Sequence, residues 1–487
     1  MRLGLVLRAL SVIVGVVSLA MALPLCLALI DGSGDAGGFA LSMACGLILG
    51  LLLSLGGKDR ERGGALGVRE GVGVTGLAWI LASAVGAIPY WSSGVTPQYV
   101  DAFFETMSGF TTTGATILTD VEAVSRALLL WRALTHWMGG MGIIVLSLAV
   151  LPFLGVGGME LYKAEVPGVT AEKLAPRLQE TALLLWGAYV VMTLAETVLL
   201  MLCGMSLFDA FAHSCATVAT GGFSTRSASL AAFPSPWAQW IVTVFMFLSG
   251  VNFSLYFLLG RMRARDFFAN EELRAYALIV VGATAAMMAS LAGAGMASGI
   301  EPTLRRCAFH VVSVMTTTGF VAEDYGAWPV LALGLFVLLM FVGACGGSTG
   351  GGCKVARFLL VARLLREEAL RLLHPKAVSI ARMDGRPISR STMGSAVSFF
   401  VLYVLLLTAG TLLAAASAHP RLGLLESFTG ALTCLSNVGP GLGALGPVES
   451  FAWLPTGVKW LFSFLMLAGR LELFAVVLLF LPSTWSR

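Results

Sequence analysis

Four stretches of the sequence end in the same kind of turn, built from small residues around a glycine. Each begins with a short amphipathic segment, well below the ~20 residues that a membrane-spanning helix needs. A threonine or a valine precedes each glycine, and a small residue lies six positions before it. The stretches are residues 101–116, 208–225, 306–325 and 426–443, and they align on Gly114, Gly221, Gly319 and Gly439.

Turns of this kind can bind a small cation. Rings of backbone carbonyl oxygens replace the hydration shell of an ion, and glycine adopts the backbone angles that such a turn requires. Each short helix would also direct the negative end of its dipole toward the ion. The turns contain no acidic residue, so a monovalent cation is favoured over a divalent one. Hydroxyl groups that could brace the turns belong to Thr112, Thr113, Thr220, Thr317 and Thr318.

A second glycine-rich run covers residues 343–354. Such a run cannot form a stable helix in lipid, so we expect an irregular loop that lines a cavity. The spacing of a phosphate-binding loop fails, because Cys353 separates Gly352 from Lys354. Lys354 either lies near this cavity or extends its amine to the membrane surface.

Arg470 is a charged residue in the middle of the last apolar segment. A charge at that depth is costly and is functional by default. Glu472 lies two positions away and therefore on a different helix face, so we expect Arg470 to face the cavity. A structural ion pair with an acid of another span is the alternative.

The elements that position these residues are membrane-spanning helices. Of the 487 residues, 57% are hydrophobic and only 12% are charged, whereas a soluble protein carries roughly a quarter charged residues. A water-soluble enzyme is therefore excluded. Ten long apolar segments lie near residues 9–30, 38–56, 72–91, 127–153, 181–203, 236–260, 276–298, 329–360, 393–416 and 455–482.

Two apolar segments precede the four glycine turns, and each turn lies between two of the others. This order predicts an all-α polytopic membrane protein. Two extra transmembrane helices precede four tandem span–pore-helix–filter–span repeats around a pseudo-fourfold pore. The predicted units are residues 1–70 (leading helices), 71–158 (repeat 1), 159–262 (repeat 2), 263–378 (repeat 3, with the glycine-rich loop) and 379–487 (repeat 4).

The distribution of lysine and arginine predicts the orientation of the chain. With the N-terminus in the cytoplasm, 22 of the 31 basic residues fall in cytoplasmic stretches, as the positive-inside rule requires. We therefore expect both termini in the cytoplasm. The longest polar stretch, residues 363–390, is predicted to contact anionic lipid or to dock a cytoplasmic partner. The eight cysteines include no C-x-x-C pair, which argues against a zinc site.

The four turns resemble the pore loops of the Trk/Ktr/HKT superfamily of potassium transporters. TTTGAT, VATGGFS, TTTGF followed by EDY, and SNVGPGLG are close to its four filter signatures. The stretch WRALTHWMGGMGIIVL, residues 131–146, is similar to the span after the first pore loop. The resemblance covers nearly the whole chain, and the leading pair of spans fits the bacterial TrkH type better than the shorter Ktr type.

The resemblance implies potassium uptake, by a channel or by symport, through three residues in each turn. In this family, glycine at the key position of all four loops goes with potassium preference. Serine in the first loop is associated with sodium permeation in some plant members. The fourth loop departs from threonine, as is usual for the family. The implied filter residues are Thr112, Thr113, Gly114, Ala219, Thr220, Gly221, Thr317, Thr318, Gly319, Asn437, Val438 and Gly439.

The resemblance also implies a gate below the filter. Its parts are the glycine-rich loop and a basic residue in the last span, which narrows the pore and repels cations at rest. The implied gate residues are Gly346, Gly347, Ser348, Thr349, Gly350, Gly351, Gly352, Lys354 and Arg470.

The implied setting is the bacterial plasma (inner) membrane. There the chain would form a homodimer, contact lipid, and dock a cytoplasmic ring of regulatory subunits that bind an NAD- or ATP-type nucleotide. Potassium is the transported ion, and we expect neither a bound organic cofactor nor a nucleic-acid partner.

Two other functions fit parts of the sequence. A secondary transporter of another small solute also uses broken, glycine-rich helices, but it predicts two inverted halves rather than four repeats in one direction. An intramembrane enzyme needs paired carboxylates or a serine–histidine pair at bilayer depth. His136, His213 and His310 lie near the turns without a matching nucleophile, so we expect no enzymatic activity.

Overall fold

The computed structural model is helical almost throughout and describes residues 2–57, 67–149, 171–260, 264–375 and 381–485. Short 3-10 turns cover Ser229–Ala232, Tyr325–Ala327 and Gly443–Leu445, and the strands are β1 (Arg382–Met383) and β2 (Arg386–Pro387). The helices are α1 (Leu3–Ala20), α2 (Ala22–Asp31), α3 (Ala36–Gly56), α4 (Val68–Ser92), α5 (Tyr99–Phe110), α6 (Arg126–Ala149), α7 (Ala171–Leu202), α8 (Leu207–Val218), α9 (Pro236–Ser249), α10 (Phe253–Gly260), α11 (Ala264–Ala269), α12 (Glu271–Gly293), α13 (Ile300–Met315), α14 (Val330–Phe341), α15 (Val355–Leu373), α16 (Arg390–Ala415), α17 (Leu424–Ser436), α18 (Thr456–Arg470), α19 (Phe474–Phe480) and α20 (Pro482–Trp485).

The leading helices pack beside the first repeat. α1 contacts both α3 and α4, and small residues allow these helices to approach closely. A Cβ on Gly46 of α3 would overlap the Ser18 side chain of α1. The Ser42 hydroxyl donates to the Val85 carbonyl of α4 at 2.7 Å. This bond gives the hydroxyl a partner that the hydrocarbon of a lipid bilayer cannot provide.

Each repeat contains a long span packed along a short buried helix. The spans α4, α7, α12 and α16 contact α5, α8, α13 and α17, respectively, and these four short helices are the predicted pore helices. In α5, every residue from Val100 to Phe110 is buried. Hydroxyl groups on the pore helices donate to carbonyls of the same helix. For example, the Thr106 hydroxyl donates to the Ala102 carbonyl at 2.8 Å.

The four repeats close into a ring. The helix after each pore helix packs against the pore helix of the next repeat: α6 on α8, α9 on α13 and α14 on α17. The series then closes, because α18 of the last repeat packs on α5 of the first. The predicted fold class, four tandem repeats around a pseudo-fourfold pore, is therefore confirmed.

Two of the helices that follow the pore helices are broken where the sequence predicted an uninterrupted apolar segment. In the described ranges, six helices are long and apolar enough to cross a membrane, and a bent pair makes a seventh. That pair, α18 and α19, turns through 118°, where Glu472 and Leu473 have φ angles of 55° and 58°. The chain is also broken between α9 and α10, whereas the break between α14 and α15 is the predicted glycine-rich loop.

The predicted boundaries between repeats cannot all be compared with the structure. Those near residues 158, 262 and 378 lie outside the described residues, and the boundary after residue 70 falls in the first turn of α4. The part of the chain after residue 381 begins with the hairpin of β1 and β2, which precedes α16.

Candidate functional site

All four pore helices end in the same backbone conformation. A residue other than glycine adopts the left-handed region, and the amide of the following residue donates to the helix carbonyl five positions back. This arrangement satisfies carbonyls at the helix end that otherwise lack a partner. The left-handed residues are Thr112, Thr220, Thr317 and Asn437, with φ of 51°, 54°, 61° and 57°. The hydrogen bonds join Thr113 to Ser108, Gly221 to Ala216, Thr318 to Ser313 and Val438 to Thr433, at 2.8, 2.8, 2.9 and 2.9 Å.

A glycine with positive φ follows two positions after each left-handed residue. In three turns it is the glycine on which the sequences align, namely Gly114, Gly319 and Gly439. In the second turn it is Gly222, with φ of 81°, and not Gly221.

The second turn therefore lies one residue later than the sequence alignment places it. Thr220, Gly221 and Gly222 occupy the positions of Thr112–Gly114, whereas Ala219 still closes its pore helix with φ of −75° and ψ of −11°. Two adjacent glycines make both registers possible in the sequence. The sequence does contain a signal for the structural register: a glycine–phenylalanine pair occurs in both the second turn (Gly222–Phe223) and the third (Gly319–Phe320), and aligning these pairs places Gly222 at the key position.

The four turns meet one another through these glycines. A Cβ on Gly439 would lie 2.7 Å from the carbonyl oxygen of Thr113 in the first turn. The other three contacts are closer still, so no side chain fits. They join Gly114 to the Gly221 carbonyl, Gly222 to the Thr318 carbonyl, and Gly319 to the Val438 carbonyl. The contacts run from each repeat to the next and return to the first, so the four turns form one cluster. Ala219 belongs to the end of its pore helix, and Gly222 takes the third position of the second turn.

Side-chain bracing of the turns alternates around the ring. The Thr111 and Thr113 hydroxyls are 2.8 Å apart, and Thr316 and Thr318 form the same pair at the same distance. In the fourth turn, the Asn437 amide donates to the Thr113 hydroxyl at 2.9 Å. The threonines and Asn437 thus fix the turns to themselves and to each other.

A histidine from the first repeat braces the second turn. A Cβ on Gly221 would lie 2.5 Å from the His136 ring. Nδ1 of His136 lies 2.8 Å from the Gly109 carbonyl, and Nε2 lies 3.2 Å from the Phe223 amide nitrogen. Because the carbonyl needs a donor and the amide an acceptor, the ring is neutral with its proton on Nδ1. The sequence placed His136 near the turns but gave no indication of this role.

A side chain from each of the first three pore helices also binds the segment of chain that follows its own turn. The Glu105 carboxylate accepts from the Ile117 amide at 2.9 Å and from Arg132 Nε at 2.6 Å. His213 and His310 lie at the same helix position. They contact the Ser224 hydroxyl at 2.8 Å and the Ala322 amide at 3.2 Å, respectively.

We expect Glu105→Ala to lower the free energy of unfolding by about 3–5 kcal/mol, because it leaves the Arg132 charge buried without its partner. The two side chains are 0% and 4% exposed. The measurement is the thermal unfolding midpoint in detergent. The matched control is Asp31→Ala, which breaks the exposed pair with Arg126 and should cost less than ~1 kcal/mol. Equal losses in the two variants would contradict the structural importance of the Glu105 pair.

The glycine-rich run forms a loop with a closed neck. The Gly343 amide donates to the Cys353 carbonyl at 2.9 Å, and the Val355 amide donates to the Ala344 carbonyl at 3.2 Å. Residues 346–352 are the part of the run beyond this neck, and we call them the gate loop. The expected irregular conformation is present, with φ of 73° at Gly347 and 65° at Gly352.

The gate loop lies directly against the ends of three pore helices. The Thr349 hydroxyl donates to the Val218 carbonyl of α8 at 3.1 Å, and the Gly351 amide donates to the Thr317 hydroxyl at 2.6 Å. A Cβ on Gly351 would overlap the Ser436 carbonyl at the end of α17. The structure thus brings the predicted gate residues and the predicted filter residues into direct contact.

Arg470 contacts the gate loop. Its guanidinium, in a residue only 2% exposed, donates to the Thr349 carbonyl at 2.7 Å and to the Gly139 carbonyl of α6 at 3.1 Å. Within the described ranges no carboxylate pairs with it. Glu472 pairs instead with Arg357. Arg470 therefore binds two backbone carbonyls instead of forming the alternative structural ion pair.

Lys354 is buried at the neck of the loop rather than extended to the surface. It is 7% exposed, and its amine donates to the Gly350 carbonyl. The Ser348 hydroxyl donates to the Cys345 carbonyl at 2.6 Å. These bonds hold the loop compact from within, while Arg470 and the pore helices hold its outer surface.

Comparison with known proteins gives consistent matches along the whole chain. The model of the family described as "TrkH: Cation transport protein" matches residues 43–487. The Trk system potassium uptake protein TrkH of Salmonella typhimurium is 37% identical over 487 residues, which cover 98% of this chain and 99% of that protein. The Trk system potassium uptake protein TrkG of Escherichia coli is 36% identical over 429 residues, covering 88% and 87%. The crystal structure of the potassium transporter TrkH from Vibrio parahaemolyticus matches with a TM-score of 0.90, at 32% identity over 100% of both chains.

Proposed function

This chain belongs to the TrkH family of cation transport proteins, and from that premise we propose that it takes up potassium ions through the ring of four turns. The observation that carries the proposal is the closed series of contacts between each turn glycine and the carbonyl of the next repeat. Carbonyl oxygens held this closely around one passage can replace the water of an alkali ion. A multi-pass membrane protein with such a ring is suited to transport rather than to catalysis.

In this proposal, the ion sheds its water at the turns and crosses toward the gate loop. Glycine stands at the key position of every turn, which supports a preference for potassium. The membrane potential supplies ~2.3 kcal/mol per elementary charge for each 100 mV. Only the chain's own backbone and hydroxyls are needed to bind the ion, and potassium is cargo rather than a resident cofactor.

We propose that the gate loop and Arg470 close the passage in this conformation. Opening requires the loop to leave the ends of α8, α13 and α17. It then gives up the hydrogen bonds that Thr349 and Gly351 make with the pore helices, together with the bond from Arg470 to Thr349. Because these hydrogen bonds are few, a few kcal/mol of free energy from a binding partner is enough to shift the equilibrium from the closed to the open loop.

We place the protein in the bacterial inner membrane with both termini in the cytoplasm, as the distribution of basic residues supports. We further propose a homodimer that docks a cytoplasmic ring of nucleotide-binding regulatory subunits. The basic stretch around α15 and the hairpin supports a cytoplasmic contact with such a partner or with anionic lipid.

The alternative function is a secondary transporter of another small solute, with or without a coupled ion. That class is built from two inverted halves around a midplane site. The cyclic packing of four repeats with equivalent turns favours a shared ion filter over such a site.

We expect the parent protein in proteoliposomes to take up rubidium much faster than sodium, and Gly114→Ser to reduce that preference. The added Cβ would overlap the Gly221 carbonyl, so the ring must widen or distort. The measurement is tracer uptake of both ions. Gly204→Ser is the control, because Gly204 has φ of 91° but no atom within 4 Å of an added Cβ. An unchanged rubidium-to-sodium ratio in Gly114→Ser would refute the assignment of the filter.

A further inference from the structure

A single buried carboxylate joins both ends of the gate loop to a neighbouring span. Glu272 lies in the first turn of α12 and is 7% exposed. Its Oε1 accepts from the Gly346 amide at 2.7 Å and from the Ala356 amide at 3.0 Å. Gly346 begins the gate loop, and Ala356 lies just beyond it. The loop is therefore fastened to α12 at its entry and at its exit.

The bond to Ala356 has a specific physical advantage. Ala356 is the second residue of α15, so its amide is one of the helix donors without a partner inside the helix. The residue before this helix, Lys354, provides no side-chain cap. The Glu272 carboxylate fills that role from another helix and places negative charge at the positive end of the α15 dipole.

The same turn of α12 is held on its other side by the cytoplasmic hairpin. Asp384, at the tip of the hairpin, accepts from the Glu271 amide at 2.7 Å and from the Asn270 side-chain amide at 3.0 Å. The Asp384 amide donates back to the Glu271 carboxylate at 3.1 Å. Asp384 and Gly385 have φ of 49° and 78°, which suits a tight hairpin turn and directs this tip at the start of α12.

A second contact links the same residues to α15. Glu271 pairs with Arg363, two turns into that helix. The first turn of α12 is therefore tied to the hairpin through Glu271 and Asn270, and to the gate loop through Glu272. The remaining anchors of the loop entry are independent of the hairpin. Cys345 donates to the Gly250 carbonyl at 3.0 Å, and Phe253 donates to the Gly347 carbonyl at 3.1 Å.

We propose that Glu272 is a positioning residue that holds the gate loop closed, and that the hairpin of β1 and β2 controls it through Asp384. This inference rests on the proposed function of the loop as a gate. Displacement of the hairpin moves the first turn of α12, and Glu272 then releases Gly346 and Ala356. The loop keeps its neck and its attachment near Gly250 but loses the two hydrogen bonds that tie it to α12, so its tip leaves the pore helices.

The first test measures rubidium uptake into proteoliposomes together with the rubidium-to-sodium ratio. Glu272→Ala should raise rubidium uptake about tenfold, because the closed loop loses a charged hydrogen-bond acceptor. The rubidium-to-sodium ratio should not change. Glu272→Gln retains an acceptor oxygen and should return uptake toward the parent value. Asp384→Ala should act in the same direction and add nothing to Glu272→Ala. The matched control is Glu368→Ala, an exposed acid of α15 that pairs with Arg371.

A second readout does not depend on ion flux. Cys345 and Cys353, at the neck of the loop, are buried, and so is Cys434 in α17. In Glu272→Ala, a membrane-permeant maleimide should modify the two neck cysteines faster, with Cys434 unchanged, as followed by mass spectrometry. Unchanged uptake and labelling, a lower uptake that Glu272→Gln does not restore, or additive effects of the two alanines would overturn the proposal. Absence of rubidium uptake by the parent would instead contradict the transport function and leave the labelling test valid.

Discussion

Gly222→Ala should remove most of the rubidium flux and the preference for rubidium over sodium. Gly222 has φ of 81°, where alanine costs about 1–2 kcal/mol. Its added Cβ would also overlap the Thr318 carbonyl of the next repeat. That carbonyl belongs to a turn fixed by its own hydrogen bonds, so it cannot rotate away. A cost of about 1–2 kcal/mol alone corresponds to roughly a five- to thirtyfold fall in uptake, and the overlap with the Thr318 carbonyl adds to it.

Two variants separate the causes of this effect. Gly204→Ala places alanine at an equally unfavourable φ of 91° in open space, so it measures backbone strain without a clash. Gly221→Ala meets the His136 ring, a side chain that can be removed. We expect His136→Ala to restore part of the uptake lost in Gly221→Ala and none of that lost in Gly222→Ala. Near-normal rubidium flux in Gly222→Ala would contradict this assignment and indicate that Gly221 is the key glycine of the second turn.

The second turn also shows where inference from sequence ends. The existence and order of the four repeats were predictable, because apolar spans, short segments and glycine turns are local patterns. The register of the second turn was mispredicted, because two adjacent glycines fit the turn and only the pair Gly222–Phe223 separates them in the sequence. The sequence also gives no sign of the His136 ring, which comes from another repeat and fills the space beside Gly221 that a side chain would need.

The gate region shows the same limit. Arg470 and the glycine-rich run were each predictable from their types and depth in the membrane. Their contact joins Arg470 to Thr349, 121 positions apart in the chain, and no pattern within either segment indicates it. The breaks after α9 and α18 were missed as well, because hydropathy reports apolar length and not backbone angles such as those at Glu472 and Leu473.

The roles of the acids were the least predictable part. Glu105 and Glu272 lie in or beside apolar segments, and both accept hydrogen bonds from backbone amides outside their own helices. Glu105 reaches Ile117, and Glu272 reaches Gly346 and Ala356. Their signal in the sequence is only that a buried carboxylate must have partners; which partners it has depends on the assembled ring.

Arg470→Ala should raise rubidium uptake of the protein without any regulator by more than about tenfold. The substitution removes two restraints at once. The guanidinium no longer ties Thr349 of the gate loop to Gly139 of α6, and its positive charge no longer repels an ion below the turns. For two unit charges ~8 Å apart at an effective dielectric constant of ~20, that repulsion is about 2 kcal/mol. The measurement is tracer uptake at a fixed membrane potential.

Arg470→Lys and Arg470→Gln separate the effect of the positive charge from the effect of the two hydrogen bonds that Arg470 donates. Lysine keeps the charge but cannot donate to both carbonyls in the geometry of the guanidinium fork, whereas glutamine keeps one donor and no charge. Because the residue is buried and has no carboxylate partner in the described part of the chain, we expect its charge to dominate. Arg470→Lys should then retain most of the block, and Arg470→Gln should conduct nearly as well as Arg470→Ala. Arg126→Ala, at an exposed arginine, serves as the control. Parental uptake by a folded Arg470→Ala protein would mean that Arg470 takes no part in closing the passage, and the block would then rest on the gate loop alone.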